Sequence, residues 1–228
     1  MLFILLRVKS LEYEHCMSYN AVIFDKDGVL INSFETVYSA MNKALTHHGY
    51  EKLGREEFRK EWWGIRADNN IEKKLGISRE RALEVFELYK QKRMELDHMT
   101  ELYPGVKTVL RRLDGEYGLG VVTSTYRDVA IDILEDFEVN AFFDVVVGGD
   151  ETTPKPAPDS ILKACNELGV EPEEAIFIGD TDADIGAGKS AGCTTVIVTT
   201  SKTRDELEVV EGIVVIDELE EILDLIGV

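Results

Sequence analysis

Basic residues are scarce: 25 Lys and Arg stand against 44 Asp and Glu, a formal net charge of −19. Such a field repels polyanions, so neither nucleic acid nor an anionic membrane surface is expected as a partner. It repels an anionic small molecule as well, so any phosphate site needs its own cation. Cysteine is sparse and odd in number. Cys16, Cys165 and Cys193 have no metal-binding or redox spacing, which points to a reducing, cytoplasmic setting. No apolar run approaches the ~18 residues that cross a bilayer. Met1-Leu2-Phe3-Ile4-Leu5-Leu6 is apolar but short, and it lacks the basic lead and small-residue cleavage site of a secretory signal. Glutamine occurs once, at Gln91, against abundant Glu. Thermophile composition and ordinary drift both produce that bias.

What is present is organised around Ala21-Val22-Ile23-Phe24-Asp25-Lys26-Asp27-Gly28-Val29-Leu30. An apolar run of this length reads as a buried strand, and the glycine permits a sharp turn. The Asp-x-Asp-Gly ending delivers two carboxylates to the strand's C-terminal edge, where ligands bind in an open parallel sheet. Two close carboxylates repel unless a hard cation joins them or one holds a proton. The plainer alternative is a solvated Asp/Gly turn.

The 228 residues, 44% of them hydrophobic, suffice for one good core with a smaller insert. Apolar spacing at Val37, Met41, Ala44 and Leu45 predicts a helix over 34–48, ended by Gly49. Short helices are expected at 55–63 and 67–75, then a long one over 79–97 with Ala82, Val85, Phe86, Tyr89 and Met94 on its apolar side. Tyr103-Pro104-Gly105 breaks the pattern. Beyond it, helices alternate with strands at 118–123, 143–148, 174–179, 194–199 and 212–216. Further helices are expected at 203–210 and 217–226. Alternation of this kind means a parallel sheet covered on both faces. The expected organisation is an α/β, Rossmann-like core (20–32 and 103–228) with an α-helical cap inserted at 33–102, behind an N-terminal extension (1–19). Two readings of that extension stand. Met17 is an internal start, or residues 1–8 form an extra strand or a surface anchor.

Each core strand runs into polar residues: Asp25 and Asp27, then Thr123-Ser124-Thr125, then Gly179-Asp180-Thr181-Asp182-Ala183-Asp184. Lys155 stands between, stiffened by Pro154 and Pro156. Taken singly these have modest explanations: a helix N-cap at Thr123-Ser124, a surface lysine, acidic residues favoured at a helix start. Together, on one sheet edge, they suit phosphoryl transfer with bound Mg2+. The metal takes oxygen ligands, and the phosphate takes N–H, O–H and ammonium donors.

In these four motifs, read as Asp25-Lys26-Asp27-Gly28-Val29-Leu30, Val122-Thr123-Ser124, Lys155-Pro156-Ala157-Pro158-Asp159 and Gly179-Asp180-Thr181-Asp182-Ala183-Asp184-Ile185, the chain resembles the haloacid dehalogenase (HAD) superfamily. The resemblance covers about residues 20–228 and lies with the branch that has a helical cap, which includes phosphoglycolate-phosphatase-like enzymes and β-phosphoglucomutase. It implies Asp25 as nucleophile, Asp27 as general acid and then base, and Thr123 with the Ser124 amide as phosphate holders. Lys155 would offset charge against Asp25 and the phosphate. Mg2+ would rest on Asp25, the Asp27 carbonyl and Asp180, with Asp184 binding it through water or orienting Lys155. The carboxylate at Asp27 favours phosphoryl transfer over dehalogenation, because halide leaves without a proton. Asn32 replaces a common Asp, and Lys26 fills a spacer that is usually apolar; its side chain is expected to point away and carry no role.

In the cap, Gly64-Ile65-Arg66-Ala67 falls where related enzymes place a specificity loop. Arg66 is a candidate for a substrate carboxylate or second phosphate, or else a solvated helix-start residue. One of Trp62 and Trp63 is expected in the cap core and the other at the cleft. His47 and His48 read as capping or surface residues. Hinges are expected near Ser33-Phe34 and Leu102-Tyr103-Pro104. The first expectation for function is a Mg2+-dependent phosphatase of a small phosphorylated metabolite, monomeric or homodimeric, working through an aspartyl-phosphate. A sugar phosphomutase and a non-enzymatic HAD-fold binding module are the alternatives.

Overall fold

The computed structural model describes residues 19–228; both readings of the first 16 residues lie outside them. The chain enters as strand β1 (Ala21–Asp25), touches β2 (Ile31–Asn32), and then runs through four helices: α1 (Phe34–His47), α2 (Arg55–Glu61), α3 (Ala67–Leu75) and α4 (Arg79–Glu95). It returns through β3 (Glu101–Leu102) and α5 (Val106–Leu113). Strand and helix then alternate: β4 (Gly118–Val122), α6 (Arg127–Asp136), β5 (Val145–Val147), α7 (Asp159–Leu168), β6 (Ala175–Gly179), α8 (Asp182–Ala191), β7 (Thr194–Val198), α9 (Arg204–Leu207), β8 (Val214–Ile216) and α10 (Glu221–Ile226).

The main sheet is parallel in the order β5-β4-β1-β6-β7-β8, an α/β Rossmann-like core. β1 lies centrally, between β4 and β6, with Asp25 level with Val122. Every residue of β1 is buried, as its unbroken apolar run requires of a strand covered on both faces. Val22 and Phe24 join the larger core with α5, α6 and α10; Ala21 and Ile23 join the opposite core with α7 and α8. In α5, Val106, Val109, Leu110 and Leu113 repeat at i, i+3, i+4 and i+7 and form its buried stripe.

Helices α1 to α4 pack around a separate core of Phe34, Tyr38, Phe58, Trp62, Trp63, Ile71 and Phe86 among others. Phe58 meets Phe34 and Tyr38 edge to face at centroid distances of 5.7 and 5.4 Å. Where the chain leaves and re-enters the sheet domain, β2 and β3 pair antiparallel, Ile31 opposite Leu102. The periodicity did not predict this ribbon, because two-residue strands carry no pattern. Other elements are shorter than expected: β5 spans three residues and α9 four. Met94 is corrected outright: it is 79% exposed. The buried stripe of α4 runs Ala82, Val85, Phe86, Tyr89 and continues at Arg93, four residues beyond Tyr89, rather than at Met94. His47 and His48 lie outside the cap core at the end of α1. Among the described residues no helix is long and apolar enough to cross a membrane.

Candidate active site

The parallel sheet places the C-terminal ends of β1, β4 and β6 side by side, and the candidate residues meet there. Lys155, buried in the loop before α7, donates to Asp25 Oδ1 at 2.7 Å and to Asp184 Oδ1 at 2.6 Å. The Lys155–Pro156 bond is cis. Asp184 is fixed by the start of α8. Thr181 caps that helix, and the Asp184 Oδ2 accepts in return from the Thr181 hydroxyl and N–H. Asp25, Asp180 and Asp184 offer carboxylate oxygens all within 4.8 Å of one another.

Burial and crowding act on every member of this cluster. Burial, with Asp184 and Asp27 adding to it against Lys155, raises the Asp25 carboxyl to about 7. Burial also drives Asp180 well above the usual carboxylate range, helped by Asp184 and Asp25. Burial opposes the charge on Lys155, but Asp184 and Asp25 outweigh it and hold the ammonium protonated. Asp180 Oδ2 accepts from Trp63 Nε1 at 3.1 Å and from the Ser201 hydroxyl. Its Oδ1 is buried with no hydrogen-bond partner among the described residues. An orphaned buried carboxylate oxygen beside two more carboxylates, with one lysine between them, suits a hard divalent cation. Gly28 makes room for that arrangement. Its φ is +93°, and a Cβ there would stand 2.1 Å from Asp180 Oδ2.

Asp27 is held differently. Lys26 Nζ donates to Oδ2 at 2.7 Å, Thr125 Oγ1 donates to Oδ2 at 3.1 Å, and Ser33 Oγ donates to Oδ1. Arg93 adds a contact to Oδ1 at 3.3 Å. Burial alone would raise this carboxyl, but Lys26 and Arg93 outweigh it and hold it well below the usual carboxylate range. The expectation that Lys26 carries no role is therefore corrected. Its side chain is fully buried, so its ammonium, whose charge burial opposes, folds onto the neighbouring Asp27.

At the end of β4, Thr123 Oγ1 accepts from Thr125 N–H at 3.1 Å. The Ser124 hydroxyl donates to the carbonyl of Gly64 in the cap. The Ser124 backbone N–H donates to no group among the described residues. Cap and core enclose a cleft of about 690 Å3 that reaches Asp25 and Asp27. Arg66 lines it, but its guanidinium is already engaged. Nε and Nη2 donate to Asp68 at 2.8 and 3.0 Å, Nη1 donates to the Gly149 carbonyl at 2.8 Å, and the group lies over the Tyr126 ring. Lys26, Ser33, Thr125, Trp63 and Arg93 were not singled out as site residues by the sequence reading, apart from the expectation that one tryptophan faces the cleft. A signal existed for two of them: a lysine inside a buried segment, and an arginine on the apolar stripe of α4.

The sequence profile of the haloacid dehalogenase-like hydrolases matches residues 22–198. This chain belongs to that family. It is 36% identical over 180 residues to a phosphoglycolate phosphatase of Aquifex aeolicus, covering 77% of this chain and 83% of the relative. It is 32% identical over 216 residues to the pyrophosphatase PpaX of Halalkalibacterium halodurans, covering 93% of this chain and 99% of the relative. In fold it superposes on a hydrolase from Pseudomonas syringae with a TM-score of 0.81 at 24% identity, over 91% of this chain and 98% of that one. A HAD-like protein from Streptococcus pneumoniae gives a TM-score of 0.77 at 23% identity, over 91% and 98%. The chain is an enzyme of the HAD phosphatase class.

Proposed function

We propose that this enzyme is a Mg2+-dependent phosphatase of a small phosphomonoester and that it works through an aspartyl-phosphate on Asp25. The observation that carries this reading is the buried cluster in which Lys155 bridges Asp25 and Asp184 while Asp180 Oδ1 stands without a partner. Asp25, Asp180 and the Asp27 backbone carbonyl, with Asp184 beside them, would hold the Mg2+, whose charge neutralises the incoming phosphate and polarises its P–O bonds.

The Asp25 carboxylate attacks phosphorus, forming a new O–P bond as the bond to the leaving oxygen breaks. Asp27, which must first take up a proton against the pull of Lys26 and Arg93, passes that proton to the leaving oxygen. A water then attacks the aspartyl-phosphate, and Asp27 takes the water's proton, releasing phosphate and restoring Asp25. Lys26 and Arg93 present Asp27 in the base form that the second step uses. Thr123 Oγ1 and the Ser124 N–H face the phosphoryl oxygens, and Lys155 balances their charge. The cap covers the site and excludes water. Phosphoglycolate and pyrophosphate, which name the relatives' activities, are the first substrates to try.

The test is phosphate release from p-nitrophenyl phosphate with Mg2+ and with EDTA. Activity is expected with Mg2+ only, and Asp25→Asn is expected to lose about 10^4-fold or more, as removal of a nucleophile does. Full activity in Asp25→Asn overturns the mechanism.

A further inference from the structure

The cleft is lined by three cations from the cap, Arg66, Lys90 and Arg93. Arg66 is spent on Asp68, Gly149 and the Tyr126 face. Lys90 pairs with Glu87 at 2.8 Å, its neighbour on the helix. Arg93 instead reaches Asp27. From the last turn of α4, its Nη2 stands 3.3 Å from Asp27 Oδ1 and its Nη1 3.3 Å from Thr125 Oγ1. The Tyr89 hydroxyl lies against the same guanidinium.

These contacts are loose. A charge-assisted N–H···O bond closes to about 2.7–2.9 Å, and Lys26 meets Asp27 at 2.7 Å from within the core. Asp27 is also held by Ser33, at the N-terminus of α1, and by Thr125, just beyond β4. Arg93 is thus an additional partner supplied across the cleft, on a long side chain, with a planar fork that a second anion can engage better than Asp27 does. Its position is informative. A leaving oxygen within hydrogen-bond reach of Asp27, about 2.6–3.2 Å, lies beside the Arg93 fork. Whatever Arg93 grips is then only two or three bonds from the scissile oxygen.

We propose that Arg93 is the residue that reads the leaving group, gripping an anionic oxygen group carried two or three bonds from the scissile oxygen. The inference rests on the phosphatase reading of the site and deepens it. It assigns the substrate to phosphate esters or anhydrides whose leaving group is itself an anion. Such a group takes Arg93 from Asp27, so binding the right leaving group also rearranges the contacts of the proton-transfer residue. A neutral alcohol of the same size leaves Arg93 where it is.

The experiment compares matched pairs of probes on the full chain with Mg2+. The first pair is 2-phosphoglycolate and its uncharged counterpart 2-hydroxyethyl phosphate; the second is pyrophosphate and methyl phosphate. The ratio of kcat/KM within each pair is measured for the parent, Arg93→Met and Arg93→Lys. In Arg93→Met the ratio is expected to fall by about 10- to 100-fold, the scale of one charge-assisted contact, with the change mainly in KM. Arg93→Lys keeps the charge but not the fork and is expected to fall between. The pair whose ratio falls shows whether a carboxylate or a phosphate is read. An unchanged ratio in both pairs, or an equal loss on charged and neutral probes, overturns the proposal, because Arg93 then only positions Asp27. Calorimetric binding of the same probes reads Arg93 even without turnover: selective weakening of the anionic probe in Arg93→Met supports the proposal, and equal binding overturns it. Absence of phosphate release in the parent would count against the phosphatase reading alone.

Discussion

On the floor of the cleft, Asp25, Thr123 and Asp180 stand at or just beyond the ends of adjacent parallel strands, and Lys155 and Asp184 fold in against them. On the roof, Trp63, Arg66 and Arg93 come from different helices or the loops between them, held over the floor by the packing of an aromatic core. The floor is positioned by backbone hydrogen bonds that few substitutions can move. The roof is positioned by side-chain packing and a handful of polar contacts to the floor, so its geometry is softer. The floor also concentrates buried carboxylates, a cost to stability that a bound cation would offset, whereas Arg66 on the roof has a firm partner of its own in Asp68. On the proposed reading, this is a separation of labour: chemistry would sit where the fold is stiff, and recognition where it can move.

That contrast can be broken from the roof. Phe58 is 1% exposed and packs between Phe34 and Tyr38, so Phe58→Ala is expected to cost the cap about 3–5 kcal/mol. Hydrogen exchange should quicken across α1 to α4 and stay slow in β1, β4 and β6; equal quickening in both would show one cooperative unit rather than two.

From the floor, Asp180→Asn removes a carboxyl whose charged form is opposed by burial and by Asp184 and Asp25. The EDTA-treated variant is expected to melt no lower than the parent. The stabilisation expected for the parent from Mg2+, about 2.7 kcal/mol at 100 times Kd and read as a rise in Tm, should vanish. A retained Mg2+ response would move the metal site away from Asp180.

The smallest effect sharpens the roof. Asp68 is fully buried and takes salt bridges from Arg66 at 2.8 Å and Arg79 at 3.0 Å. Burial alone would raise its carboxyl, but the two arginines outweigh it and hold it below its ordinary value. A depressed folded value gives stability above the unfolded pKa of about 3.9 that is lost as pH falls below it. Asp68→Asn is expected to lose about 1–2 kcal/mol at neutral pH by denaturant melting, with the gap to the parent closing below about pH 4. A gap that stays constant with pH would mean that packing, not charge, is what Asp68 contributes.

Local pattern made much of the floor legible. An unbroken apolar run followed by Asp-x-Asp-Gly reads as a buried strand whose carboxylates emerge at its end, and the strand–helix alternation from residue 105 onward points the other ends to that edge. The same regularity placed Thr123, Lys155, Asp180 and Asp184 near Asp25 before any distance was known. Lys26 was missed because a charged spacer in a strand turn is ordinarily solvated; here its side chain is buried and its ammonium bonds the next residue, Asp27. Met94 was misplaced by one position on a helix whose hydrophobic stripe ends in an arginine.

The sequence by itself determined the parallel sheet, the helical insert and the set of carboxylates at the strand ends, because these follow from periods of two and 3.6 residues and from the short range of the turn. Only the tertiary structure decided which cations meet which anions. Arg93 and Asp27 are 66 residues apart, and Trp63 and Asp180 are 117 apart. No local rule couples such positions; their contact depends on how the cap's aromatic core seats α4 and the loop after α2 over the sheet. The opposite environments of Asp25 and Asp27, one pushed up by burial among carboxylates and one held down by two cations, arise at the same step.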